Sequence, residues 1–91
     1  MPTTSFPTVW ARIESHAGQH FATKTGRPFT YSIGREGLVT DRTDHPLAKA
    51  NFAEALKQVP FDGPGRIAQT VRGPAYVWAI LHDSRIRGKD W

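Results

Sequence analysis

The sequence predicts an α+β fold: an N-terminal helix, a three-stranded antiparallel meander, and then three helices packed on one face of the sheet. Apolar and polar residues alternate between residues 21 and 40, which is the period of half-buried strands. Apolar residues recur at helical spacing on both sides of that stretch. The chain has 91 residues, so we expect residues 1–91 to form a single small domain, with residues 1–5 and 87–91 as loose tails.

The first predicted helix begins near Pro7, because proline suits the first helical turn, where a backbone N–H has no intrahelical partner. Val9, Ile13 and Ala17 share one face at helical spacing, and we expect that face to be buried against the sheet. Gly18 ends the helix, since glycine tolerates the left-handed backbone that often closes a helix.

The predicted meander has its clearest signal in residues 29–33, where aromatic and aliphatic side chains alternate with small polar ones. Short polar loops at residues 24–27 and 35–37 would join this central strand to its two neighbours. We expect Gly26 to take a positive φ, because no other residue of its loop tolerates that conformation as easily.

Three further helices are predicted, over residues 47–59, 64–71 and 74–83. Pro60 ends the first of them, and the Gly73–Pro74 step separates the other two. We expect the apolar faces of the helices and of the sheet to form one core. Its predicted members are Phe29, Tyr31, Ile33, Phe52, Leu56, Ile67, Val77, Ile80 and Leu81.

The composition favours a soluble protein that attracts phosphate. The net charge is +4 and the isoelectric point is about 10, so weak electrostatic attraction to nucleic acid is expected. No apolar run approaches the roughly 20 residues of a membrane span, and the N-terminus lacks the features of a signal peptide. We therefore expect a cytoplasmic protein without a membrane partner. The chain has no cysteine, which excludes disulfides and thiolate metal sites.

The predicted meander carries the clearest basic pattern. Lys24, Arg27 and Arg35 lie in a stretch, residues 18–35, that has no acidic residue, and hydroxyl side chains such as that of Thr25 accompany them. A β-ribbon can enter the major groove or lay its loop across phosphates, and guanidinium and hydroxyl groups make such contacts. The alternative is a solvated sheet face whose charges protect the sheet edge from aggregation. The sequence leaves both interpretations open.

The C-terminal residues give a second basic pattern. Arg85, Arg87 and Lys89 occur at alternate positions after Asp83. Each of these side chains could make a salt-dependent phosphate contact. The alternative is a solubilising end of the chain, onto which Trp91 could fold back as a cap on the core.

The last two predicted helices have the arrangement of a helix-turn-helix motif, with a tight glycine turn between them. Arg66, Arg72 and Tyr76 are the residues of this region that we expect to contact nucleic acid. The second helix is mostly apolar, whereas a helix that reads base edges needs polar side chains. An ordinary helical hairpin that covers the sheet is therefore the favoured interpretation.

The sequence predicts neither an enzyme nor a cofactor. His16 and His20 are four residues apart, but Gly18 should end the helix between them, so they are discounted as a metal-binding pair. His82 and Asp83 near Asp62 could act as an acid–base group, yet nothing in the sequence fixes the separation of these residues. No glycine-rich nucleophile turn or phosphate-binding loop occurs in the chain.

These patterns together predict a small basic nucleic-acid-binding module, with DNA as the first candidate ligand. The residues expected to contact nucleic acid are Lys24, Thr25, Arg27, Arg35, Arg66, Arg72, Tyr76, Arg85, Arg87 and Lys89. The alternative is a protein–protein interaction domain with an exposed aromatic patch formed by Tyr76, Trp78 and Trp91, since such residues are favoured anchors at interfaces. Affinity for DNA and RNA at low and moderate salt would separate the two functions.

Overall fold

The structure is a computed structural model that describes residues 4–91, so most of the predicted N-terminal tail, residues 1–3, lies outside the described part. The predicted α+β class is confirmed: within the described part, four α-helices and two small antiparallel sheets form a compact fold. In chain order the elements are α1 Phe6–Ser15, β1 Phe21–Ala22, β2 Pro28–Phe29, β3 Tyr31–Gly34, β4 Gly37–Thr40, α2 Lys49–Leu56, a 3₁₀ helix at Pro64–Ile67, α3 Pro74–Leu81 and α4 Ser84–Arg87.

The sheet differs from the predicted three-stranded meander. Strand β1 pairs with β2 and strand β3 pairs with β4, so the described part contains two separate two-stranded sheets. The division falls at Thr30, whose backbone N–H donates to the Asp41 carboxylate instead of joining a strand ladder. Pro28 has no N–H to donate, which also shortens the first ladder. The predicted central strand is therefore split into β2 and β3.

The helices are arranged around α3 rather than side by side on one sheet face. Helix α3 contacts α2, α4, the 3₁₀ helix and strand β1, while α1 packs against α4. The predicted helix over residues 47–59 begins only at Lys49, because Leu47 exchanges two backbone hydrogen bonds with Leu38 of strand β4. The predicted helix over residues 64–71 is a 3₁₀ helix that ends at Ile67, and the poor helix formers Pro64 and Gly65 account for its shortness.

The core forms one cluster that joins helices and strands. All of its predicted members are buried except Ile33, which is half-buried and packs against the cluster. The Phe52 ring meets the Trp10 ring edge-on, with 5.5 Å between the ring centroids. The Tyr31 hydroxyl donates to the Ile13 carbonyl at 2.5 Å, which ties strand β3 to helix α1. Burial raises the pKa of Tyr31 above its ordinary value, so the hydroxyl keeps its proton and this hydrogen bond.

The C-terminal segment, residues 84–91, is part of this fold instead of ending in a loose tail. Ile86 of helix α4 is fully buried. The Trp91 indole Nε1 donates to the Leu81 carbonyl at 2.8 Å. Arg12 Nη1 of helix α1 donates to the Ile86 carbonyl at 2.9 Å and lies 2.6 Å from Asp90 Oδ2. The burial of an isoleucine and an indole therefore fixes a segment that its charges alone suggested would be solvated.

Candidate nucleic-acid interface

A cleft of about 410 Å³ lies between the first hairpin, the turn after strand β4 and helix α3. It is lined by Thr23, Arg27, Pro28, Arg42 and Tyr76, and we call it the cationic cleft. Both charged side chains in this lining are arginines, and none of the described lining residues is acidic. A cleft of this size lies within the range of about 300–1,000 Å³ that is typical of ligand sites.

The loop of the first hairpin holds Arg27 at the edge of this cleft. Thr23 N–H donates to the Arg27 carbonyl at 3.0 Å, and Arg27 N–H donates to Thr23 Oγ1 at 3.1 Å. Gly26 N–H donates to the Thr23 carbonyl at 2.8 Å, and the φ of Gly26 is +89°, as predicted. Three hydrogen bonds thus close the loop, while the exposed Arg27 side chain makes no hydrogen bond or ion pair to any residue of the part described.

Arg42 is held by a different contact. Its Nε donates to the Pro28 carbonyl at 3.1 Å, and its backbone N–H donates to Thr40 Oγ1 at 3.2 Å. The two terminal guanidinium nitrogens make no hydrogen bond within residues 4–91. The neighbouring Asp41 carboxylate accepts from Thr30 N–H at 3.0 Å and lines a separate cleft. The guanidinium is therefore oriented by the protein, while its terminal N–H groups remain available to a ligand.

Tyr76 supplies the aromatic wall of the cationic cleft. It lies in the first turn of α3 and is half-buried, and its ring meets the buried Phe29 ring at 77° with centroids 5.0 Å apart. Contact with Phe29 fixes the ring position through the core. The Tyr76 hydroxyl makes no hydrogen bond to the described residues, so the exposed part of the side chain is available for contact at the cleft.

A second cleft, of about 580 Å³, is larger but less basic. It is lined by Gln58, Pro60, Phe61, Asp62, Gly63, Gly65 and Arg66. One carboxylate and one guanidinium offset each other in this lining. Lys24 reaches the same loop from the first hairpin, and its Nζ donates to the Asp62 carbonyl at 2.8 Å. Charge, rather than volume, therefore selects the smaller cationic cleft as the candidate phosphate site, while Lys24 of the first hairpin loop and Arg66 of the 3₁₀ helix lie outside its lining.

The remaining predicted contacts of the central region lie elsewhere. Arg35 is exposed in the turn between strands β3 and β4, and Arg72 is exposed just before helix α3. The Thr25 hydroxyl lies 3.2 Å from the Thr23 hydroxyl, so it belongs to the first hairpin loop. None of these three residues lines the cationic cleft in the described structure. The structure thus brings only Arg27 and Tyr76, from the predicted set, into that cleft.

The C-terminal arginines are engaged by the protein itself. Arg85 binds both oxygens of Asp83 at 2.9 and 3.0 Å, donates to Gln19 Oε1 at 3.0 Å and to the His20 carbonyl at 2.7 Å. Its guanidinium carbon also lies 3.9 Å from the centroid of the Phe21 ring. The hydrogen bond with Asp83 raises the pKa of Arg85 above its ordinary value, so the guanidinium stays charged. Few of its donors therefore remain for a ligand.

The last two predicted contacts differ from each other. Arg87 is half-buried, and its Nε donates to the Trp91 carbonyl at 2.6 Å, so this guanidinium closes the C-terminal turn. Lys89 is exposed. The C-terminal residues that were expected to contact phosphate as a loose tail are thus held by the contacts of Arg85, Arg87 and Trp91 within the protein.

The three residues of the predicted aromatic patch make no ring–ring contact with one another in the described structure. The Trp78 indole Nε1 donates to the Phe61 carbonyl at 3.0 Å, and its ring stacks on His82. Trp91 is bound to the Leu81 carbonyl, whereas Tyr76 packs against a core ring of the first hairpin. Each of the three aromatic side chains is half-buried against a different partner.

Both ring nitrogens of His82 have partners within the protein. Phe61 N–H donates to His82 Nε2 at 3.2 Å, and since an N–H cannot accept, the ring proton must lie on Nδ1, which faces the Trp78 carbonyl at 3.0 Å. Within residues 4–91, no three His, Cys, Asp or Glu side chains come together as a possible metal site. In that same part of the chain, none of the helices combines the length and apolar character needed to cross a bilayer.

No signal in the sequence identified Arg42 as a member of this cleft, and Thr23 was considered only as one of the hydroxyl side chains of the basic hairpin. Arg42 lies in the polar connection after strand β4, and its N–H donates to the threonine two residues before it, which is typical of a side-chain-stabilised turn after a strand. Comparison of the chain with family models, with curated proteins and with solved structures finds no match.

Proposed function

We propose that this chain binds nucleic acid, with DNA as the first candidate, through the cationic cleft. The observation that carries the proposal is the pairing of Arg27 and Arg42 in one cleft whose described lining has no carboxylate. A guanidinium group matches phosphate with parallel N–H donors and stays charged at any physiological pH. Two such groups in one concave site therefore favour a polyanion over a neutral or cationic ligand.

Lys24 and Arg66 extend this basic surface. Lys24 crosses from the hairpin loop to the Asp62 carbonyl, and that carbonyl neighbours the 3₁₀ helix that carries Arg66. Both side chains are exposed, so phosphates that flank the cleft could contact them. We assign the phosphate contacts to these four cations because two of them line the cleft and the other two are exposed on the hairpin loop and the 3₁₀ helix. All three guanidinium nitrogens of Arg85, in contrast, already have acceptors within the protein.

The salt dependence of binding tests this proposal. If Lys24, Arg27, Arg42 and Arg66 each neutralise one phosphate, the slope of log affinity against log salt should be about −3.6 for duplex DNA and about −2.8 for a single strand. The affinities of the protein for labelled duplex DNA, duplex RNA and single strands would be measured by fluorescence anisotropy at several salt concentrations. The Arg27→Ala/Arg42→Ala variant should weaken binding and flatten the slope by about 1.4 to 1.8.

A matched variant controls for net charge. Arg35→Ala/Arg72→Ala removes the same two positive charges from exposed positions outside the cleft, so it should change the slope far less. Equal losses in both double variants would contradict a site at the cleft and indicate diffuse attraction. Absence of binding to every nucleic acid at low salt would overturn the proposal and favour the protein–protein interaction domain instead.

A further inference from the structure

We infer that the ligand is a single strand, and that the cationic cleft holds one nucleotide with its unpaired base against Tyr76. This inference rests on the proposed function, because it identifies the kind of nucleic acid that the same cleft would take. It goes further by giving the aromatic wall a role that phosphate binding alone does not require.

The aromatic wall favours contact with a base. Tyr76 lines the cleft together with both arginines, and its contact with the buried Phe29 ring holds it in place before any ligand arrives. Sites for single strands combine a positively charged groove with aromatic side chains on which bases stack. In a duplex the bases are stacked on each other and paired, so this ring would meet only sugar and phosphate. A fixed aromatic ring beside two phosphate-binding groups is therefore matched to an unpaired nucleotide.

The shape of the site leads to the same ligand. The cleft is concave and holds about 410 Å³, which suits a group of the size of a nucleotide. A duplex presents its backbone as a wide convex surface, which a cleft of this kind cannot enclose. A flexible single strand can place one base and its phosphate inside the cleft while its neighbours pass over Lys24 and the hairpin loop.

The arginines fix where the phosphate would lie. Arg42 Nε is bound to the Pro28 carbonyl, so the side chain is anchored at the cleft while its terminal nitrogens make no hydrogen bond within residues 4–91. Arg27 directly precedes Pro28, and both arginines line the cleft. The phosphate would accept hydrogen bonds from these two side chains, and its base would extend along the wall formed by Tyr76. Base contact then depends on Tyr76 and phosphate contact depends on the arginines, which makes the two separable by experiment.

An abasic strand separates base contact from phosphate contact without altering the protein. Binding of the wild-type chain would be measured by anisotropy for a labelled deoxyadenosine strand of about twelve nucleotides, an abasic strand of the same length and a hairpin duplex of similar length. Stacking of one base should make the intact strand bind about 5- to 150-fold more tightly than the abasic strand, which carries the same phosphates. Equal affinities for the intact and abasic strands would overturn the inference.

Variants of Tyr76 assign the base contact to its ring. Tyr76→Leu should lose most of the difference between intact and abasic strands, whereas Tyr76→Phe should keep it, since only the ring is needed for stacking. Phe6→Leu is a matched control, because Phe6 is a half-buried aromatic residue that packs on Trp10 instead of lining the cleft. Thermal unfolding by circular dichroism would confirm that each variant is folded. If Tyr76→Leu, shown to be folded, kept the full difference, the base could not lie against Tyr76.

The outcomes distinguish this inference from the proposed function. Salt-dependent binding that is as tight for the hairpin duplex and the abasic strand as for the intact strand would preserve a phosphate site but overturn the single-strand ligand. Absence of binding to all three probes would overturn both.

Adenosine monophosphate provides a further test, because it has the same base and phosphate chemistry in a free nucleotide. If it competed at concentrations equal to those of the strand, a strand would no longer be the ligand indicated.

Discussion

The first hairpin loop and the C-terminal segment are both basic in sequence, but they use their charges in opposite ways. In the hairpin, Arg27 is exposed, lines the cationic cleft and makes no side-chain hydrogen bond to the described residues. In the C-terminal segment, Arg85 is bound to a carboxylate, an amide, a carbonyl and the face of an aromatic ring. An arginine side chain is therefore available to a ligand in the first region and stabilises the fold in the second.

The difference is caused by the acceptors that lie within reach. Asp83 caps helix α4, since its carboxylate accepts from Arg85 N–H at 2.9 Å, and the same carboxylate then binds the Arg85 guanidinium. Residues 18–35, which include the hairpin loop, contain no acid. A local count of positive charge therefore does not predict a binding surface unless the carboxylates and carbonyls that could satisfy those charges are counted as well.

Apolar neighbours widen the difference between the two regions. Ile86 lies between two arginines and is fully buried, which brings the entire segment onto helix α1. The residues between Thr23 and Pro28 are polar, charged or glycine, and those at positions 24–27 are exposed. Burial of Ile86 thus brings Arg85 and Arg87 close to the acceptors of the protein, whereas no buried side chain does this for the hairpin loop.

Truncation of Ile86 should give the largest change in stability. Ile86→Ala removes buried methyl and methylene groups and leaves a cavity, so we expect the free energy of unfolding to fall by about 2–5 kcal/mol. Urea unfolding followed by tryptophan fluorescence would measure this loss. Lys89→Ala, an exposed change in the same segment, should shift stability by no more than about 0.5 kcal/mol. If Ile86→Ala also lost no more than about 0.5 kcal/mol, the segment would be a loose tail after all.

Separate replacement of Arg85 and Arg27 by alanine should give smaller effects, one on stability and the other on affinity. Arg85→Ala removes charge-assisted hydrogen bonds, and because the side chain is partly exposed we expect a loss of about 1–2 kcal/mol of stability with little change in nucleic-acid affinity. Arg27→Ala should leave stability within about 0.5 kcal/mol and lower the affinity. Urea unfolding and anisotropy on the same preparations would measure both quantities. If Arg85→Ala weakened binding as much as Arg27→Ala without loss of stability, the division of roles would be wrong.

The sequence predicted the fold class, most of the core and the hairpin glycine, because local periodicity and φ preferences determine these features. Helical and strand spacing identified buried residues such as Phe52 and Ile80, and the tight polar loop identified Gly26. The split of the predicted central strand was not predictable, since it depends on a hydrogen bond between Thr30 and Asp41, which are eleven residues apart. Long-range partners of this kind leave no periodic signal in a single sequence.

The candidate site was predicted only in part for the same reason. Arg27 and Tyr76 were identified by their residue types, but they are 49 positions apart and meet Arg42 only through tertiary packing. The expectation that Arg85 contacts a ligand did not account for its hydrogen bonds to Gln19 and His20, which lie more than 60 positions away and leave no local signal in the sequence. Residue type thus indicated which chemistry is available, while the fold determined which side chains share a site.

The smallest predicted effect concerns pH and the histidine that precedes the C-terminal segment. Burial lowers the pKa of His82 below its ordinary value near 6.5, despite the opposing hydrogen bond to the Trp78 carbonyl, and the positive charge of Arg87 acts in the same direction as burial. The unfolded chain therefore binds a proton at His82 more readily than the folded chain. Stability should fall as the pH drops below about 6.5 and should level off once the pH is below the folded-state pKa.

The His82→Gln variant tests whether this histidine causes the decline. Protonation of His82 would put a second N–H against that of Phe61, whereas glutamine does not titrate, so the variant should lack the part of the decline that wild type shows between about pH 7 and 5. Burial would raise the pKa of Asp83, but hydrogen bonds from Arg85 outweigh it and hold that pKa below the usual range, so Asp83 contributes only at still lower pH. Urea unfolding across this pH range measures the free energy of unfolding of each variant, with His45→Gln at an exposed position as the control. This free energy should decline in His45→Gln as in wild type and should decline less in His82→Gln. Parallel curves for wild type and His82→Gln would show that the Phe61–His82 hydrogen bond is not linked to proton uptake.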